Sequence, residues 1–82
     1  MNADEIRSTA ALIKAEGMIM DRNFWLAVAM NADVEKAKKL ALKMNKAIEE
    51  GEHTVADILY ALRGLMIIII ADEILGGGGD ER

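Results

Sequence analysis

Four isoleucines stand in succession, Ile67, Ile68, Ile69 and Ile70, in a stretch whose flanks read as helical. Successive residues of an α-helix are rotated by about 100°, so these side chains point into all four quadrants of the helix. No rotation hides all four against a single neighbouring layer. A helix that is apolar all round is a buried helix, and two companion helices from an 82-residue chain cannot surround it. Burying one isoleucine side chain is worth about 1.5–3 kcal/mol, so leaving two or three in water would cost much of the roughly 5–15 kcal/mol by which a domain is stable. The run therefore predicts self-association.

Composition agrees. A chain of 82 residues makes one domain at most and buries only about 60–65% of the surface its unfolded form exposes, yet 52% of its residues are hydrophobic. The net charge of −4 lacks the clustered Lys and Arg through which a protein releases counterions from a phosphate backbone, which argues against nucleic acid as a partner. Without cysteine there is no disulfide framework and no thiolate metal site. The opening Met1-Asn2-Ala3-Asp4 carries no charged-then-apolar secretion signal, so the cytoplasm is the expected compartment. The apolar run Leu65–Ala71 falls short of the roughly 20 residues of a membrane span and is closed by Arg63 on one side and by Asp72 and Glu73 on the other.

Helix starts and stops divide the chain into three. Asn2 with Glu5 has capping-box spacing, Asn31-Ala32-Asp33 repeats the Asn2-Ala3-Asp4 cassette before Val34, and Thr54 with Asp57 opens a third helix. Gly51 is placed as a left-handed residue after a helix end, and Gly76 to Gly79 as the final stop. With no proline to interrupt them, the helices are expected at about 3–30, 32–50 and 55–75, one domain over 1–75 with a flexible tail over 76–82. Asp21-Arg22-Asn23 is the one place where the first helix could divide.

Periodicity then assigns faces. The second helix carries one stripe, Val34, Ala37, Leu40, Ala41, Met44, Ala47 and Ile48, opposite a face rich in lysine that reads as solvated. The first helix carries two stripes. Ile6, Ala10, Ile13, Gly17, Met20, Phe24 and Ala27 form the expected intramolecular face. Leu12, Ile19 and Leu26, spaced by seven and with Met30 nearby, form a seam for a partner helix. In the third helix Ala61 and Gly64 are small enough to admit another backbone beside Ile68, or mark the strip that faces water.

Reactive groups do not converge. His53 has Glu52 beside it and Asp57 four residues on, but one imidazole is too few ligands for a zinc site, and a turn residue in solvent is the plainer assignment over a metal corner or haem ligand. Lys14 lies in phase with Arg7 and Asp21 on a polar side, and Ser8 and Thr9 have no histidine at a useful spacing. The four glycines from Gly76 lack the Gly-Lys-Ser/Thr of a phosphate loop. Gly17, near Met18 and Met20, marks a close helix crossing or the wall of a small apolar cavity.

Repeated cap cassettes, glycine stops, short connections, charge-rich outer faces and the absence of Pro and Cys together resemble a computationally designed helical homo-oligomer. Six methionines, the isoleucine run, Gly17 and Asn23 depart from that style. The resemblance implies a structural role in self-assembly.

The expectation is an all-α, three-helix protomer that assembles into a larger symmetric helical bundle, a homodimer being the simplest closed form. Its interface would hold Leu12, Ile19, Leu26 and Met30 from the first helix and Ala61, Gly64, Ile67, Ile68, Ile69 and Ile70 from the third. No catalytic, cofactor or metal role, no nucleic acid and no membrane is expected. The alternatives are a small apolar ligand in a pocket at the oligomer interface, or a regulatory module that pairs with another protein's helix along the Leu12, Ile19, Leu26 seam.

Overall fold

The structure is a computed structural model and describes residues 2–77. The described chain is all-α and has four helices, α1 (Ala3–Met18), α2 (Arg22–Asn31), α3 (Val34–Glu49) and α4 (Val55–Gly77), in place of the expected three. The difference lies at Ile19–Asp21. Past Gly17, itself a poor helix former, the amides of Met20 and Asp21 bond to Gly17 O at 3.2 Å and Met18 O at 3.0 Å, the tighter spacing that closes a helix. Asp21 is extended, and its carboxylate accepts from the Asn23 amide at 2.9 Å as the N-cap of α2. The indole N–H of Trp25 donates to Ile19 O at 2.8 Å, satisfying a carbonyl that the break would otherwise orphan.

The other caps show which local chemistry was decisive. Asn2 and Glu5 form a reciprocal capping box at 2.8 and 2.9 Å, and Thr54 and Asp57 do the same at 3.1 and 3.3 Å. The Asn31 cassette works differently from the Asn2 cassette. Asn31 ends α2, donating its amide to Ala27 O at 2.7 Å, and the cap of α3 is Asp33, whose carboxylate accepts from the Lys36 amide at 3.2 Å. Gly51 is not left-handed, since no described glycine has positive φ. Its lack of a side chain serves space: a Cβ there would run into Nε2 of His53. Nor does the last helix stop before Gly76. Backbone hydrogen bonding carries α4 through Gly76 and Gly77, and the rest of the expected tail, 78–82, lies outside the described residues.

Packing between helices centres on α1 and α4. The buried core is three alanines, Ala11, Ala15 and Ala71, with Ile67, Ile70 and Ile74 packed against them and half-buried. Small residues at a helix crossing let the backbones approach closely, since interaxial distance is set by the side chains between them. The α1 face turned inward is therefore Ala11, Ala15 and the half-buried Met18, at i, i+4 and i+7. This overturns the expected intramolecular stripe: Ile6 and Ile13 are 56% and 65% exposed, Ala10, Gly17, Met20 and Ala27 are exposed, and only Phe24 is half-buried. Arg63 of α4 and Glu16 of α1 bridge the edge of this contact at 2.7 Å with both side chains about half exposed, a geometry worth little in stability.

The remaining helices are thinly attached. The α3 stripe exists as expected, but only Met44 and Ile48 near its end are half-buried, while Val34 and Leu40 are 56% and 59% exposed. The Cα radius of gyration is 15.0 Å, against about 12 Å for a compact chain of this length. If the alanine contact holds α1 to α4, Ala15→Leu should force the helices apart and lower unfolding free energy by about 1–3 kcal/mol, the usual cost of overpacking. Urea unfolding followed by helical circular dichroism measures it, and an unchanged midpoint would show that the contact is not what holds the helices together.

Candidate functional site

The feature that most distinguishes the surface is how much of it is apolar and uncovered. The protein exposes 6856 Å², whereas a compact monomer of its mass exposes about 4,900 Å², a difference on the order of 2,000 Å². That difference counts polar and apolar surface together; single exposed leucines are ordinary, but exposed apolar side chains that adjoin one another on a helix face mark association surfaces. Three faces gather several of the exposed apolar side chains.

The first is the outer face of α4. Ile67, Ile70, Ala71 and Ile74 turn toward α1, which leaves Ile68 and Ile69 on the far side of the helix, 53% and 58% exposed, with Leu65 one turn before them. The sterics of the isoleucine run are thereby realised: α1 covers one half of the helix, while the other half is left largely open, with Phe24 reaching only its edge at Ile69. Ala61 is exposed and Gly64 half-buried, and a Cβ added at Gly64 would meet nothing within 4 Å, so no helix of the same chain packs closely at Gly64.

The second face is the uncovered stripe of α3 around Val34, Ala37, Leu40 and Ala41. The third lies on α1 and α2. Leu12 on α1 and Leu26 and Met30 on α2 are exposed, and Ile19 is half-buried at the end of α1. The break at Asp21 separates them, so the seven-residue spacing of Leu12, Ile19 and Leu26 is not one seam along a continuous helix. A heptad repeat specifies a straight seam only while the helix keeps its phase, and three extended or tightly turned residues reset it. Phe24 and Trp25 make an edge-to-face pair with centroids 5.1 Å apart, and Phe24 closes a shallow groove with Met18, Ile69, Ile70 and Ile74. Gly17 meets nothing within 4 Å through a built Cβ, which removes the close helix crossing expected there.

One cleft between two helices carries polar side chains. Ala47 and Ile48 at the end of α3 face Ile58, Ala61 and Leu62 of α4 across a space of about 220 Å³, with His53 and Asp57 at one end. The volume is below the roughly 300–1,000 Å³ of small-molecule sites, and Asp57 is occupied in capping α4. Among the described residues no group of three or more His, Cys, Asp or Glu is placed to hold a metal ion. Among the described residues no helix is long and apolar enough to cross a membrane.

Of the ten residues expected at an interface, Ile67 and Ile70 are used in the α1–α4 contact, Ile68 and Ile69 share one outer face, and Leu12, Leu26 and Met30 lie on two different helices. In the sequence α3 has the one-sided pattern of an outer helix, and the structure leaves most of that stripe uncovered. The signal was present in the strength of its amphipathic pattern, but a pattern shows that a face is apolar and is silent on what meets it. Comparison with known proteins finds no matching family model, no similar curated protein and no similar solved structure.

The two sides of the isoleucine run should respond unequally to charge. Ile70→Asp is expected to cost about 2 kcal/mol or more by opening the α1–α4 contact and to lower helical content in dilute solution. Ile68→Asp should leave the α1–α4 contact in place and cost clearly less helix at the same dilution. Equal loss of helix in both variants would show that α4 is not oriented as described.

Proposed function

We propose that this chain is a structural protein that works by self-association, forming a closed homo-oligomer without chemistry of its own, with a two-fold dimer as the simplest form. The observation that carries this is the mismatch between a core of three alanines and an exposed area about 2,000 Å² above that of a compact monomer. Stable obligate dimers bury roughly 2,000–5,000 Å² in total, so two such protomers hold surface of the right extent. A closed symmetric arrangement matches each apolar face to a copy and leaves no open end to propagate.

The faces that would be covered are those of α4 at Ile68 and Ile69 and of α3 at Leu40, with Leu12, Leu26 and Met30 as further candidates. A design origin is compatible with the regular caps at Asn2 with Glu5 and Thr54 with Asp57.

Light scattering on the purified chain across a wide concentration range is the test. A single mass at a small whole multiple of the 9.0 kDa protomer, unchanged on dilution, is the expected result. A monomer at every concentration, helical and cooperatively folded, would sink the proposal and point to a different chain as the partner of these faces.

A further inference from the structure

We infer that α3 is an exchanged arm: in the assembly its stripe around Val34, Leu40 and Ala41 docks on the Leu65, Ile68, Ile69 and Asp72 face of α4 in a second copy, which returns the same contact. This rests on the self-association proposed above and names the two surfaces that meet.

Charge separates the two surfaces in sign. Within Val34–Glu49 five lysines stand against two glutamates, a net +3 in a chain whose total is −4, so the rest of the protein carries −7. At helical spacing Lys36 and Lys43 edge the apolar stripe on one side and Lys38 on the other. On α4, Asp72 follows Ile68 and Ile69 by one turn and Glu73 stands beside it, both exposed. An apolar stripe edged by ammonium groups thus faces an apolar strip that ends at the Asp72 carboxylate and is flanked by Glu73, opposite charges of the kind by which paired helices choose partner and register. Two α3 helices side by side would instead bring lysines against lysines.

Placement favours exchange. Within one chain Ala47 and Ile48 face Ile58, Ala61 and Leu62, the start of that same α4 face, across an open cleft, and beyond them α3 parts from α4. The face continues uncovered to Asp72, and the matching stripe continues uncovered to Val34. Two reciprocal contacts related by a two-fold axis bury both at once, and the exposed excess on the order of 2,000 Å² per chain suffices for an obligate interface.

The chain has no cysteine, so introduced thiols report proximity without background. Chains carrying Leu40→Cys and chains carrying Ile68→Cys, unfolded together, refolded and air-oxidised, are expected to yield a mixed disulfide at twice the chain mass on a non-reducing gel. No mixed disulfide from a mixture that scatters light as a dimer would overturn the inference while leaving self-association in place. A wild-type monomer would remove both. An intramolecular disulfide at single-chain mass in Leu40→Cys/Ile68→Cys would overturn exchange and show α3 closing on its own α4. Charge reversal is the second measurement: Lys36→Glu with Lys43→Glu should weaken the assembly about tenfold or more, and adding Asp72→Lys with Glu73→Lys should restore it. Absence of rescue would overturn the pairing. Flotation of the wild type with phosphatidylserine-containing vesicles, lost in Leu40→Asp while the solution mass is unchanged, would assign the stripe to an anionic bilayer and overturn it too.

Discussion

Two helices pack most closely where neither carries a bulky side chain between them, and in this protein Ala11, Ala15 and Ala71 occupy that place. Close approach gains dispersion contacts along both backbones but removes little side-chain area from water, because alanine has little to remove. Helix α1 turns its small edge inward to make the crossing and meets Ile67, Ile70, Ala71 and Ile74 of α4, which leaves Ile6 and Ile13 of α1 and, on the other side of α4, Ile68 and Ile69 exposed.

The same crossing explains why the rest of the chain hangs loosely from it. The closure of α1 after Gly17 and the Asp21 cap redirect the chain into α2, and local hydrogen bonds hold that redirection: the cap at 2.9 Å and the Trp25 indole on Ile19 O at 2.8 Å. Apart from Phe24 every residue of α2 is exposed. Helix α3 follows from its own cap at Asp33 and meets α4 only near its end. Helices of ten and sixteen residues are marginal alone in water, since most helical stability comes from packing an amphipathic face. Self-association of the kind proposed supplies the missing layer, and it would make folding stability depend on protein concentration through mass action.

Electrostatics divides the molecule in a way that composition conceals. A modest net charge of −4 contains a basic helix and a strongly acidic remainder. Within one chain the only ion pair between helices among the described residues is Arg63 with Glu16, so most of that complementarity is unused inside the protomer. Exposed charges contribute little to stability one pair at a time, but they select orientation when apolar faces meet.

Helix identity was legible from the sequence because it rests on interactions within a few residues. The boxes at Asn2 with Glu5 and Thr54 with Asp57, the amphipathic stripe of α3, and the impossibility of hiding four successive isoleucines behind one layer all follow from local geometry. The same locality misled at Asp21, where Asp-Arg-Asn reads equally as the polar side of a long helix or as a cap, and only the turn closing on Gly17 and the Trp25 indole tip the balance. Which apolar face of α1 turns inward was decided in three dimensions: the isoleucine stripe has the greater apolar area, but the alanine edge has the better fit to α4. Glu16 and Arg63, forty-seven residues apart, meet only because that crossing brings them together. The sequence by itself therefore determined that the chain is helical and carries more apolar surface than it can bury, since both depend on residue type and spacing alone. The tertiary structure decided where that surface lies, because the face a helix buries depends on the shape of the partner it meets.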